Sequence, residues 1–406
     1  MGRREGLGRH AGVVGAFAYS GANFALAFAL QGAVPKAAFG SYAFALVLVQ
    51  FGLSVSNALF AAPLAVVWTP EARASLIGSF FRATLGLVAL GAGLLGLGLA
   101  AMGLPPGETL LFMALAALLW LRWFFRAVAL AEQDFTRPAR ADLIYGAGVL
   151  ATGAALFSLS AIRVEGALCA MLAGTLASMA GLARGKIRWG AAAPFRAAFR
   201  THGGWALVGV VTTELTANLH AYVLALWFGP AAFAPVALVS LFFRPLPILM
   251  QSLTQIERPV LARCYREGAM ADLARGVRGI TGVMVVAVIA NTALIATLLI
   301  WHGPAFGNGQ YADMNLWPIL LLLAAAQMVR GLRTGPSTAA QGGGLFRPLA
   351  FATIWAAPVT LIGTIGAALV GWQIVPMVLT AVLAGELVTA LLIQRTYRTI
   401  WTGAPR

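Results

Sequence analysis

The sequence predicts an all-α polytopic membrane protein, with about twelve transmembrane helices in two parallel six-helix lobes and both termini cytoplasmic. Composition is the first observation behind this. The 406 residues are 60% hydrophobic and 10% charged, whereas a soluble chain carries about 25% charged residues. Span length is the second, because the apolar stretches approach the ~20 residues that cross a hydrocarbon core. Charge placement is the third: loops alternate between arginine-rich and nearly uncharged, as the positive-inside rule requires. No ten-residue alternation of a membrane barrel runs through the chain. Helices satisfy their own backbone hydrogen bonds in lipid, so a helical bundle follows.

Apolar windows place the spans at 11–31, 38–62, 83–102, 108–130, 142–161, 165–183, 203–228, 232–254, 279–300, 316–337, 350–370 and 373–394. The inner loops hold Arg73 and Arg82, then Arg137 and Arg140, then Arg184, Lys186, Arg188, Arg196 and Arg200. They continue with Arg258, Arg263, Arg266, Arg275 and Arg278, with Arg330, Arg333 and Arg347, and with the tail. Lys36 and Arg163 are the cations of the outer loops. The first span follows Arg3, Arg4 and Arg9 like a signal peptide. Its length and its part in the repeat below predict a retained helix.

The net charge of +15 would suit a nucleic-acid binder, but these cations sit at helix ends on one side of the membrane, so no nucleic-acid partner is expected. Cys169 and Cys264 lie too far apart in the topology for a disulfide. The inner segments 184–202 and 255–278 are amphipathic, with Phe195 and Phe199 among arginines in one, and Leu261 and Tyr265 in the other. They read as helices along the inner headgroup layer.

The halves repeat. Phe39-Gly40-Ser41-Tyr42 opens span two where Phe233-Ala234-Pro235-Val236 opens span eight. Without a gap, Gln50 falls against Arg244 and Asn57 against Gln251; Asn23 falls against Asn218. Two halves of six spans, each beginning inside, are parallel repeats. The expected division is a lobe at 1–190, a cytoplasmic linker at 191–202 and a lobe at 203–406.

Ionisable groups at mid-membrane are costly and mark functional positions by default. Arg244 and Glu214 lie midway along spans eight and seven, joined by the turn at Gly229-Pro230. Two readings stand for Arg244: an anchor for an anionic group, through its planar fork of donors, or a structural pair with Glu214. Pro245 and Pro247 are expected to distort the helix there. Glu214 and Asn218 share a helical face at i, i+4, with Tyr222 nearby, and that face is read as the wet one. His220 is read as a packing histidine rather than a proton relay.

Glu386 is expected to pair with Arg330 or Arg333; its alternative role is to accept a coupling proton or sodium, a role also open to Glu214. Arg122 and Arg126 are expected to snorkel to the inner headgroups, the sharper alternative being receipt of an anionic substrate. Asn23, Asn291 and Gln327 read as interhelical glue or as hydrogen-bond donors to a polar substrate. No P-loop, metal spacing or nucleophile elbow occurs. No enzyme, cofactor or metal is therefore expected.

Two stretches, FGSYAFALVLVQFGLSVSNALFAAPLAV (39–66) and FGPAAFAPVALVSLFFRPLPILMQSLTQIERPVLARCYREG (228–268), with WLRWFFRAVALAEQDFTRPARADL (120–143) as a third, resemble polysaccharide flippases. These are the Wzx-like group of the multidrug/oligosaccharidyl-lipid/polysaccharide exporter (MOP) superfamily. Ala234-Pro235 departs from the Gly-x-Tyr element, and Gln31 stands where relatives often carry a base.

The resemblance implies translocation of a polyprenyl-diphosphate-linked oligosaccharide across a bacterial inner membrane, by alternating access of the two lobes. Arg244, Glu214, Asn218, Arg122, Asn23 and Gln50 would line the substrate path. Lipid-linked oligosaccharide, membrane lipids and other polysaccharide-assembly proteins would be the partners. The alternatives are a multidrug-type antiporter of the same superfamily and a membrane polymerase or ligase of lipid-linked sugars.

Overall fold

A computed structural model of the chain describes residues 3–132, 134–159, 162–183, 189–302, 309–311, 313–371 and 373–401. The described residues are helical apart from turns and loops. The helices α1 (Arg3–Gln31), α2 (Lys36–Ser56), α3 (Ala62–Val67), α4 (Arg73–Ala101), α5 (Pro106–Ala131), α6 (Thr136–Leu159) and α7 (Val164–Leu182) form the first set. A π-helical segment, Asn57–Ala61, joins α2 to α3. The short α8 (Ala193–Ala198) and a second π segment, Phe199–Gly203, lead to α9 (Gly204–Ala217). Then come α10 (Leu219–Trp227), α11 (Pro230–Phe243), α12 (Pro245–Arg266), α13 (Met270–His302), α14 (Trp317–Gly342), α15 (Phe346–Val370) and α16 (Ile374–Trp401).

Eight of these have the length and apolarity of a membrane span, and the bent pairs α9–α10 and α11–α12 bring the number to ten. The two that complete twelve are α1, 29 residues long, and α14, 26 residues long. Both have span length but are diluted by polar residues, including Arg330 and Arg333 in α14. Six spans precede α8 and six follow it, so the protein has the expected all-α polytopic architecture.

The chain separates into two compact units, Met1–Val211 and Thr212–Arg406. In the first, α6 packs on both α1 and α7. A Cβ on Gly146 would stand 2.9 Å from the Ala18 carbonyl oxygen, and one on Gly174 would stand 2.7 Å from that of Tyr145. Small residues thus bring the three helices to backbone contact, as packing in lipid favours. At the inner end Phe60, Leu64, Phe80 and Phe124 form an apolar core.

The expected linker region docks on that core. Phe195 of α8 meets Phe80 edge-on at 5.3 Å, and its N–H donates to Ser79 Oγ at 3.0 Å. In the second unit the inner core joins Leu261, Leu273, Val277, Ala339, Leu349 and Tyr397 from five helices. At the outer turn Gly229 has φ 86°, a left-handed conformation that glycine adopts without a Cβ penalty. Pro230 then starts α11 with its φ already set.

Candidate functional site

In the second unit, the two spans carrying the sequence candidates are both broken where those candidates sit. The α9–α10 pair bends by 54° at Asn218, and the α11–α12 pair bends by 49° at Arg244. Counting from the outer turn at ~1.5 Å per residue, the breaks lie roughly 16 and 21 Å deep, near mid-membrane. The second break follows from sequence, because Pro245 and Pro247 lack the N–H groups that would continue the ladder. Arg244 N–H donates instead to the Leu241 carbonyl at 3.2 Å. Asn291 of α13 donates to the Phe242 carbonyl at 3.1 Å, so a neighbouring helix caps this break.

The first break has no proline. Ala221 N–H, whose helical acceptor would be Ala217, bonds Asn218 at 2.9 Å. The Asn218 side chain donates back to the Glu214 carbonyl at 3.1 Å and to Glu214 Oε2 at 3.0 Å. Asn218 N–H keeps its own bond to the Glu214 carbonyl at 3.1 Å, so the helix opens just past Asn218, where the Ala221-to-Ala217 bond is lost. Glu214 and Asn218 thus lie on one face in direct contact, and Tyr222 N–H still donates to the Asn218 carbonyl at 3.3 Å although the helix axis turns there. His220, beyond the break, is buried with its ring 6.4 Å from Phe233.

The carbonyl released at Ala217 is taken by Arg330 of α14, whose Nη2 donates to it at 3.4 Å. Arg330 Nε donates to Glu386 Oε1 at 2.8 Å. Arg333 Nη2 lies 2.9 Å from Oε2 of the same carboxylate, an ion-pair contact without hydrogen-bond alignment. The pairing expected for Glu386 is thus present with both arginines. Beside it, Thr213, Thr216, Arg333, Thr353, Thr360, Glu386 and Thr389 line a small polar cleft of about 10 Å³, room for roughly one water.

The first unit holds its own charged cluster. Arg122 of α5 is buried; its Nη2 lies 2.5 Å from Asp142 Oδ1 and its Nε donates to Ser178 Oγ at 2.8 Å. Arg126, one turn on, pairs with the other oxygen of Asp142. The Arg122 guanidinium also stacks 5.1 and 5.2 Å from the rings of Tyr19 and Tyr145. Tyr145 donates to Asn23 Oδ1 at 2.7 Å, and Asn23 donates to the Tyr19 carbonyl at 2.9 Å. Four helices, α1, α5, α6 and α7, thus meet around the Arg122 guanidinium.

Snorkelling is therefore corrected for Arg122: its guanidinium is enclosed within the unit, with partners on three sides. Asn23 acts here as interhelical glue. Gln50 is exposed on α2, next to Val49, whose carbonyl accepts Trp120 Nε1 at 3.0 Å. Gln50 and Asn23 are thus not brought together by any contact described.

Asp142, Tyr145 and Ser178 were missed as site residues. The apolar window begins at 142, which places the aspartate at headgroup level. Helix α6 in fact begins at Thr136, which carries Asp142 inward. The available signal was the Arg122/Arg126 pair at i, i+4, which demands a shared counter-ion. Among the described residues, no group of His, Cys, Asp and Glu could hold a metal ion.

No protein-family model matches the chain, and no curated protein matches it. Solved structures do. An inward-facing multidrug resistance MATE family transporter of the MOP superfamily aligns over 96% of this chain and 96% of its own, with TM-score 0.71 and 13% identity. An aspartate-to-asparagine mutant of the Vibrio cholerae MATE transporter VcmN covers 99% and 97%, with TM-score 0.69 and 15% identity. The chain has the MATE fold. The eukaryotic MATE transporter AtDTX14 agrees, covering 98% of each chain with TM-score 0.67 and 15% identity. The likeness is one of fold, and these structures are MATE transporters, not Wzx-like flippases.

Proposed function

We propose that this protein is an exporter of the MOP type that moves its substrate across a bacterial inner membrane by alternating access. The observation that carries this reading is the pair of mid-membrane breaks in one unit, at Asn218 and Arg244. Discontinuous helices bring helix ends to the bilayer midplane, where transporters bind substrates and ions. Glu214 reaches the first break through Asn218. It and Glu386 are the candidate coupling acids.

The likeness to multidrug MATE transporters supports a multidrug-type exporter better than it supports an oligosaccharide flippase. A second reading rests on charge. Arg330 and Arg333 share the single carboxylate of Glu386, and Arg122 and Arg126 share that of Asp142. Two cations against one anion leave a surplus of one positive charge in each cluster. With Arg244 at a break, this suits an anionic diphosphate and disfavours a cationic drug. In that reading the cargo is a polyprenyl-diphosphate-linked oligosaccharide, with other polysaccharide-assembly proteins as partners.

Deletion of the protein separates the two. Raised drug accumulation with normal surface glycan supports the multidrug reading. Lipid-linked sugar held in the inner leaflet supports the flippase. If deletion produces neither phenotype, with substrates of both classes tested, the exporter reading is overturned.

A further inference from the structure

Arginines sheltered inside this protein have partners on the protein itself. Arg122 and Arg126 meet Asp142, Arg137 meets Glu132, and Arg330 and Arg333 meet Glu386. Arg258 of α12 differs. It is half-buried, its Nε is enclosed, and none of the described residues hydrogen-bonds or ion-pairs with it.

Helical spacing explains why it is sheltered. Arg258 shares a face with Thr254, Leu261, Ala262 and Tyr265. Leu261 lies in the inner core of the second unit. Thr254 Oγ1 is 3.4 Å from Thr338 Oγ1 of α14. A Cβ on Gly342 would stand 3.4 Å from the Arg258 carbonyl and 3.0 Å from Ala262 N, so the two helices cross at backbone contact beside this residue. Arg263, on the opposite face, is exposed. The Arg258 stem and Nε thus lie against the seam between α12 and α14, while its terminal amino groups keep access to the surface.

Burial pulls the Arg258 pKa below the ordinary arginine value. The guanidinium remains a cation at neutral pH even so. An anion arriving at the amino groups would complete this partly buried charge. The position is at the inner end of the second unit, beyond the Arg244 break and outside the span-length part of α12. Phosphate-bearing head groups of the inner leaflet lie at that depth, and their planar pairs of oxygens match the guanidinium fork.

We propose that Arg258 is the anchor of a binding site for the phosphate of an anionic phospholipid, at the inner-face crossing of α12 and α14. Arg258 donates to the phosphate from the seam. The exposed Arg263, Arg275 and Arg278 add long-range attraction without forming the site.

Native mass spectrometry of the full-length protein, delipidated in detergent and titrated with phosphatidylglycerol or phosphatidylcholine, tests this. Wild type is expected to bind one phosphatidylglycerol about tenfold more tightly than phosphatidylcholine, whose choline cation offsets the same phosphate and repels the guanidinium. Arg258→Gln loses that preference, Arg258→Lys keeps part of it, and Arg263→Gln keeps it. Thermal unfolding of each variant confirms that folded protein is compared. Unchanged preference in folded Arg258→Gln overturns the site. So does Arg258-dependent binding of inorganic pyrophosphate with no lipid preference, which would assign the residue to a soluble anion.

Discussion

The Ala217 carbonyl, deprived of its helical donor where α9 ends, accepts Arg330 Nη2 at 3.4 Å, while the same guanidinium holds Glu386 at 2.8 Å. One side chain therefore ties the break in span seven to spans ten and twelve. Removing it exposes a carbonyl and leaves Glu386 with Arg333 alone.

Glu386 is the shared counter-ion of two arginines, so its neutralisation costs more than loss of either cation. Glu386→Gln should lower stability by about 3 kcal/mol, and Arg330→Gln by about 2 kcal/mol. Thermal unfolding in detergent gives the order. Equal or reversed effects would show that Arg333 and Arg330 find other partners.

Asp142 has the same position in the first unit. Asp142→Asn strands Arg122 and Arg126 together and is expected to cost about 3–5 kcal/mol, or to abolish folded expression. Arg126→Gln leaves the Arg122–Asp142 pair balanced and should cost less than half as much. Size-exclusion yield and unfolding temperature of the two variants make the comparison.

Gly385 admits Thr360 into the polar cleft of the second unit. A Cβ there would stand 1.7 Å from Thr360 Oγ1 and 3.0 Å from Thr360 Cβ. Gly385→Ala should destabilise by roughly 1–3 kcal/mol through overpacking. Adding Thr360→Ala should restore part of the loss, because the closer clash is with the hydroxyl. Absence of any rescue would place the strain elsewhere.

Asn291 caps the second break from α13. Asn291→Ala should cost about 1 kcal/mol, the scale of a side-chain hydrogen bond inside a membrane protein. Transport should fall further than stability does, since the Phe242 carbonyl lies beside Arg244. A transport loss no larger than the loss of folded protein would make Asn291 structural only.

Much of this architecture is legible in the residues themselves. Arginine alternation located α14 as a span although Arg330 and Arg333 dilute its apolarity, and that dilution is explained by Glu386. Pro245 and Pro247 announced the bend at Arg244. The bend at Asn218 was not legible, because no proline marks it. An asparagine whose amide bonds back to Glu214 looks, in sequence, like any helical i, i+4 pair. Asp142 was hidden for a related reason. A hydropathy window trims the polar first turns of a helix, so an acid nearly two turns inside α6 was read as lying at its edge.

Thiol labelling at Arg244→Cys, with Cys169 and Cys264 replaced, is the most direct test of an alternating path at the broken helices. The account predicts that a water-soluble, membrane-impermeant reagent reaches position 244 from the inner side in one state and from the outer side in another, with substrate shifting the balance. Labelling only by lipid-soluble reagents, in every state, would contradict it.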